Sequence, residues 1–402
     1  MNNEQLTVNR DKGSGIRDQV TGNRDQGTGN REHCSLLRTV GTLVLCSLLI
    51  AHCSLPQGNE AAQKTAAFDP DLYGWKTASW IPFSVTDTVT GFAYGKPAGK
   101  DRYVAVARGG VIAWSDDGDK WHKAQKAPDE DELFPEPDPF VNVSFNAVAW
   151  GNDKFAAVAD GGRIAWSADG KSWTAIGYSG GITGFGSENI MGIAFGGNTF
   201  VAVGGNANIS YSANGLLWSA CRDDAFGTSQ LNDITFDSES GRFYIVGDDG
   251  KRGWSDNPAS KNWHFIGPER PFYTNAIRKV TVGRYRNGIG IGIAFNEWDN
   301  RRTAIATNAD FGGFDDDLDA SQFGNNTING IAWAPWKDGI FIAAGQSAMI
   351  GWWPSSEPDK ENQRYWRALS FTELQWWEIT ALAALKDRFY IGAIGGKIGY
   401  SK

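Results

Sequence analysis

Cysteine is nearly missing from the part of this chain that could fold. The 402 residues contain four, Cys34, Cys46, Cys53 and Cys221. Three of them fall within the first 53 positions, so the body of the chain has one and cannot form an internal disulfide. Histidine is equally scarce: His33, His52, His122 and His264 are scattered, and no CxxC or Cys/His spacing occurs. This argues against a structural zinc site. A basic excess is also lacking. The formal charge is −8, and residues 1–53 hold six Lys/Arg and five Asp/Glu, which leaves 32 basic against 41 acidic residues beyond them. Binding to a phosphate backbone needs a concentrated basic patch, so no nucleic-acid partner is expected. Helical patterning is almost absent. The apolar run Thr39–Ala51 is 13 residues long, too short for a comfortable membrane-spanning helix.

Glycine and large aromatics are plentiful instead: 50 Gly, 18 Trp and 22 Phe. They suit a chain of short strands, tight turns and an aromatic core. The clearest unit is Gly151–Ile176, GNDKFAAVADGGRIAWSADGKSWTAI. Lys154–Ala159 alternates, Asp160-Gly161-Gly162 breaks it, Arg163–Ser167 resumes, and Asp169-Gly170 is a two-residue hairpin signal before Ser172–Ile176. Phe145–Trp150 supplies a strand just upstream. The third-strand pattern recurs with its aromatic position at 114, 166, 211, 254, 306, 352 and 400, at spacings of 52, 45, 43, 52, 46 and 48. The fifth copy has Ala306 where Trp is expected. Four strands per unit at a period in the forties predicts an all-β, seven-bladed β-propeller of four-stranded antiparallel blades over residues 72–402. The last unit stops after its third strand. Trp80-Ile-Pro-Phe83 resembles the missing fourth strand, and Trp75-Lys-Thr-Ala78 matches it less well. An N-terminal strand from residues 75–83 is therefore expected to complete the last blade and close the ring.

Upstream, residues 1–35 repeat a polar phrase (TVNRDKGSG, VTGNRDQG, TGNREHC) and read as a disordered low-complexity leader, or as sequence preceding the true translation start. Residues 36–53 read as a signal-peptide h-region, with Arg38 as the n-region charge. Ile50-Ala51-His52-Cys53 resembles a bacterial lipobox, although His52 stands where a small residue is usual. Lipidation at Cys53, an exported cell-envelope protein anchored to a membrane by its lipid, and a tether over residues 54–71 are the expectations. A plain signal peptide or an uncleaved anchor is the alternative.

Ser115-Asp-Asp117-Gly118-Asp-Lys-Trp121 and Ser167-Ala-Asp169-Gly170-Lys-Ser-Trp173 resemble the Asp-box of BNR-type propellers, the repeat of the sialidase-like superfamily; Ser212-Ala-Asn214-Gly215-Leu-Leu-Trp218 is a variant. The box is one residue shorter than the family's usual form. The resemblance implies a structural role: the Asp or Asn caps its turn, Gly takes positive φ, and Trp packs between blades. It also implies that the boxes lie away from any active site. A sialidase site would need three Arg for the substrate carboxylate, a Tyr/Glu nucleophile pair and an acidic proton donor. No such Tyr/Glu pair can be matched here, so no catalytic residue is assigned.

Topology places a site at the face shared by second-to-third-strand loops and inter-blade connections, because long loops on a rigid scaffold carry binding. The long connections are 125–144, 177–189, 221–230, 267–276, 310–327 and 370–378. Candidate ligand-binding residues there are Arg108, Arg163, Arg252, Arg278 and Arg301, with the aromatics Tyr273, Trp298, Trp376 and Trp377 as a platform for sugar or peptide, or as loop packing. The first-strand alignment also puts Thr90, Asn146, Met191, Asn232, Arg278, Asn329 and Thr380 at one level of the channel, a ring that would hydrate it. Asp315–Asp317 with Asp319, and Asp129–Glu132, read as solvated acidic loops; the first lacks the glycine turn of a calcium loop. The sequons at Asn142, Asn208 and Asn325 carry little weight in a bacterial lipoprotein. No cofactor or metal is expected. The chain is expected to act as a monomeric binding or scaffold module for a glycan or protein ligand. The alternatives are a diverged sialidase-like glycoside hydrolase and an assembly factor for a membrane complex.

Overall fold

The computed structural model describes residues 74–128, 139–176, 183–267, 274–285, 288–296, 301–306, 326–336, 339–354, 367–369, 374 and 377–401. The chain divides into two units, Met1–Glu60 and Ala61–Lys402, and every described residue belongs to the second. The expected leader, h-region, tether and Cys53 thus lie outside the described residues. No helix among the described residues is long and apolar enough to cross a membrane.

The described strands form seven sheets. Taken in chain order, sheets 1 to 7 begin with Thr88–Gly95, Phe145–Gly151, Ile190–Gly196, Leu231–Asp237, Ile277–Tyr285, Ile328–Ala334 and Ile379–Leu385. Each then runs antiparallel through its second and third strands. The architecture is a β-propeller of four-stranded antiparallel blades. Six sheets carry four strands or more, where seven such blades were expected. Sheet 5 has three described strands, Ile277–Tyr285, Gly288–Asn296 and Arg301–Ala306. A fourth would fall beyond Ala306, outside the described residues.

Second strands are near-continuous apolar runs because both their faces meet neighbouring sheets. Phe155 to Ala159 is fully buried, and so are Val104 to Ala107 and Phe200 to Val203. Near the axis the constraint is tighter. Gly95, Gly151, Gly196 and Gly283 each lie against an aromatic ring of the next sheet's first strand: Trp150, Phe195, Phe236 and Trp333. A Cβ at Gly151 would stand 2.0 Å from the Phe195 ring, so a methyl cannot enter without parting the sheets.

Sheet 7 is completed from the N-terminal side. Trp75–Thr77 pairs antiparallel with Ile398–Ser401, Trp75 facing Ser401 and Thr77 facing Gly399. The better sequence match, Trp80–Phe83, does not form this strand. Trp80 instead makes a parallel bridge to Lys120 of sheet 1 and is 64% exposed. The reason is Asp119. Its carboxylate accepts from the Ser79 backbone N–H (3.1 Å), the Ser79 hydroxyl (2.6 Å) and the Tyr400 hydroxyl (3.0 Å). This clasp turns the chain off sheet 7 and onto sheet 1. Burial pushes the Asp119 carboxyl up, but the Ser79 and Tyr400 donors outweigh it and hold it below the usual range. Burial and the same hydrogen bond push the Tyr400 hydroxyl up to about 12. Sheet 2 gains a fifth strand: Gln125–Lys126, at the start of the expected loop 125–144, pairs parallel with Ser172–Ile176 and covers that outer edge.

The three Asp-box turns share one geometry. The Ser167 hydroxyl donates to Asp169 Oδ1 (3.0 Å) and accepts from the Gly170 N–H (2.8 Å). Asp169 Oδ1 accepts the N–H groups of Lys171 (2.8 Å) and Ser172 (2.9 Å), and Trp173 Nε1 donates to the Gly170 carbonyl (3.0 Å). The boxes at Ser115 and Ser212 repeat these bonds. Every bond closes the box's own turn. Burial pushes the Asp169 carboxyl up, but the Ser172 and Lys171 amides, the Ser167 hydroxyl and Arg102 more than offset it, so it lies below its ordinary value.

Two outcomes follow. Deleting residues 72–84 removes both the strand that pairs with Ile398–Ser401 and the Ser79 clasp, and is expected to abolish cooperative unfolding in calorimetry; an unchanged melt would show that this pairing does not hold the fold together. Asp169→Ala should cost about 2 kcal/mol, and Asp169→Asn less, since Asn214 makes the same bonds in the third box. Because the Asp169 value is lowered, its stabilisation is complete above the ordinary carboxylate range near pH 4. It is lost as pH falls through the lowered value, and urea titrations of wild type and Asp169→Asn should converge there.

Candidate functional site

The site is built from seven β-bulges. In each first strand the ladder skips one residue at the same place: Thr90, Asn146, Met191, Asn232, Arg278, Asn329 and Thr380. A bulged residue leaves the ladder, and its side chain is re-aimed. All seven line one open cavity of about 640 Å³ on the axis. The sequence alignment had placed them at one level; the bulge explains why a polar residue sits inside an apolar strand.

Beyond the expected hydration of the channel, the ring has a second role, because its bonds run from sheet to sheet. Thr90 Oγ1 donates to the Phe145 carbonyl (2.7 Å). Asn146 Nδ2 reaches the Ile190 carbonyl (2.9 Å), Asn232 Nδ2 that of Ile277 (3.0 Å) and Asn329 Nδ2 that of Ile379 (2.8 Å). Thr380 Oγ1 donates to the Val89 carbonyl of sheet 1 (2.6 Å). Each acceptor is the residue just before the next sheet's bulge. At the seam between sheets 3 and 4 the bulged residue is Met191, which has no N–H or O–H to donate.

The second-to-third-strand loops close over this ring and meet the connections between sheets, as the topology implied. Ala207 N–H donates to Ser229 O (2.9 Å), Gly250 N–H to Asn275 O (2.8 Å) and Ala348 N–H to Trp377 O (2.6 Å). Their side chains extend the polar wall. Asp160 accepts from Asn146 (2.8 Å), Asp248 from Asn232 (2.8 Å), and Gln346 donates to Glu378 (3.2 Å). Lys279 pairs with Asp233 (3.4 Å). Burial pushes the Asp233 carboxyl up despite Lys279 and the Val280 amide.

The candidate residues separate. Arg108 and Arg278 line the cavity and are exposed. Arg252 is placed inside sheet 4, 1% exposed, where its guanidinium donates to the Gly250 and Gly267 carbonyls (3.3 and 3.0 Å). Arg163 is half-buried beside Phe140 and Ile176, in a small recess of sheet 2 away from the axis. Trp377 packs in the core with Trp75 and Phe389, and Lys397 stands over its ring at 5.2 Å. The aromatic-platform reading therefore fails for Trp377: apolar burial claims it. Arg301 opens the third strand of sheet 5 opposite Asn296, and nothing is described of its side chain. Tyr273, Trp298 and Trp376 lie outside the described residues, as do the acidic runs 129–132 and 315–319. Gln230, Asp248, Lys279, Thr327, Gln346 and Glu378 line the cavity without having been singled out. Gln230, Thr327 and Glu378 end the connections 221–230, 310–327 and 370–378 assigned to this face, and Asp248 and Gln346 stand in its second-to-third-strand loops. Lys279 had a subtler signal, since it follows a bulge that no ladder register reveals before pairing is known.

No protein-family model and no curated protein matches the chain. Solved propellers do. YCF48 from Cyanidioschyzon merolae is similar at a TM-score of 0.59 and 17% identity, over 81% of this chain and 98% of that one. A structure described as YCF48 bound to D1 peptide is similar at 0.58 and 15%, over 83% and 97%. The WD40 propeller domain of Doa1 follows at 0.55 and 11%, over 82% and 97%. At these identities the likeness establishes the β-propeller fold.

The stitches have a measurable weight. Asn146→Leu, which strands Asp160 and the Ile190 carbonyl, should cost about 2 kcal/mol in urea unfolding. Met191→Leu at the equivalent position should cost no more than about 1.5.

Proposed function

We propose that this chain is an exported, lipid-anchored binding propeller whose seven sheets are the blades of one closed ring, and which holds a segment of a partner protein at the mouth of its channel. The carrying observation is the open cavity of about 640 Å³, walled by side chains already fixed through bonds between sheets. A prearranged polar concavity on a rigid scaffold binds without ordering costs of its own. Strand Trp75–Thr77 on Ile398–Ser401 and the Thr380–Val89 bond support the closed ring. The run Thr39–Ala51 and Cys53 support export and acylation. That a propeller of similar fold has been seen bound to a peptide supports a protein ligand, and a role in assembling a membrane complex fits the same surface.

A protein segment is favoured over a glycan because no aromatic side chain lines the cavity among the described residues, and sugars are held by such faces. The hydrolase alternative finds less support. The two cavity carboxylates, Asp248 and Glu378, belong to sheets 4 and 7, and each is engaged by an amide, of Asn232 and Gln346.

A photo-crosslinking amino acid at Thr327, on the cavity wall, tests this in the producing cell, with Asn198 on the opposite face as control. Protein adducts are expected at 327 and not at 198, and Cys53→Ser should release the protein from the membrane fraction. Equal labelling at both positions, or a glycan-array ligand competed by mouth substitutions without any protein adduct, would refute the reading.

A further inference from the structure

The rim of the cavity has two chemically different sides. Toward sheets 4 to 6 it is polar and charged: Asn232, Asp248, Arg278, Lys279, Thr327 and Asn329. Toward sheets 7, 1 and 2 it carries exposed aliphatic side chains. Five large hydrophobic residues are well exposed among the described residues, and three of them sit on this arc: Val85 at 86%, Val141 at 62% and Ile394 at 45%. Their placement follows from the backbone. Val85 is the second residue of the turn Ser84–Asp87, and Val141 occupies the same place in the turn Phe140–Val143. The loop Gly109-Gly110 lies against both turns, Gly109 at Asp87 and Gly110 at the Phe140 carbonyl. Thr88 pairs with Ile394 on one side and with Arg108 on the other, so the isoleucine and the arginine flank it.

Arg108 is exposed, and its side chain has no hydrogen-bond or ion-pair partner among the described residues. The neighbouring charges are engaged: Asp248 by Asn232, Glu378 by Gln346, Lys279 by Asp233 and Asp87 by the Ser84 N–H, and Arg278 is not without a partner. This arc therefore presents apolar surface around Arg108, a cation that no carboxylate pairs, with Lys397 of the neighbouring loop held over the Trp377 ring. Contiguous exposed apolar residues on a folded domain mark contact sites, and a lone guanidinium among them selects a carboxylate that it can hold in a bidentate pair.

We infer that the Val85–Val141–Ile394 arc with Arg108 docks an extended acidic-apolar protein segment, one whose aliphatic side chains cover the valines and isoleucine while a carboxylate meets Arg108. The inference rests on the reading of the mouth as a protein-binding site and specifies its partner. A second copy of this chain would set Arg108 against a like-charged arc. A bilayer is a poorer fit, because the arc borders a concavity.

The test uses the full chain in mild detergent and three fluorescein-labelled ten-residue peptides read by anisotropy. The first alternates leucine and serine with two glutamates, the second replaces the glutamates by lysines, and the third replaces the leucines by serines. The first should bind about tenfold more tightly than either other, the span of roughly one good contact. Arg108→Glu should reverse the order of the first two. Val85→Ser with Val141→Ser should weaken the first by about tenfold and leave the charge preference intact. Circular dichroism confirms that each variant is folded, which surface serines and an exposed charge swap do not threaten. An unchanged peptide order in Arg108→Glu, or wild-type affinity in the double serine variant, overturns the inference. So does binding to phosphatidylglycerol vesicles, or dimerisation in light scattering, that the valine substitutions abolish. Persistent protein adducts at position 327 alongside any of these would sink this docking arc while leaving the protein-binding mouth in place.

Discussion

Everything in this molecule depends on how closely the first strands approach the axis. Neighbouring sheets touch there through glycine against aromatic ring, as at Gly151 and Phe195, and through a side chain that crosses to a carbonyl. The crossing requires a residue freed from its own ladder. That is what the bulge supplies: one residue per first strand, a donor in every case but Met191, is taken out of the intrasheet pattern and turned sideways. Burying a carbonyl without a partner is costly, so the same contact that joins two sheets also satisfies a group the bulge would otherwise leave open. The polar ring is thus a product of packing before it is a binding surface.

That double role fixes the character of the site. Its asparagines are short and each tied to two partners, Asn232 to Asp248 and the Ile277 carbonyl, Asn146 to Asp160 and the Ile190 carbonyl. They cannot rearrange around a ligand without loosening a seam. Adaptability is left to the rim, where turns such as Ser84–Asp87 and Phe140–Val143 project side chains that no sheet requires. The scaffold and the surface open to evolutionary change are therefore separated by height along the axis rather than by sheet.

Much of the fold could be read from the sequence because the repeat is local. Glycine, Asp-Gly turns and buried Val/Ala runs recur within each unit, and periodicity needs no knowledge of distant partners. The Asp-box role was legible for the same reason: Asp169 bonds only to residues within three positions. What the sequence did not disclose were features set between units. Trp80 looks like an outer strand residue by composition, yet the Ser79–Asp119 bond, 40 positions apart, directs it elsewhere. Arg252 and Trp377 have the residue types of a binding site, but nothing nearby in sequence tells a buried guanidinium from an exposed one. The bulges themselves are invisible until the register of two strands is known.

The bond from Thr380 to the Val89 carbonyl joins residues 291 positions apart, and Trp75 pairs with Ser401. A chain emerging from a ribosome therefore holds its first sheet with one flank uncovered until almost the whole length has followed. Contacts of such sequence separation form late and slowly. The order of synthesis delays the finished state by construction. Asp119, made early on sheet 1, waits for Tyr400 to arrive from the far end of the chain, so this single carboxylate records when the last sheet has come into place.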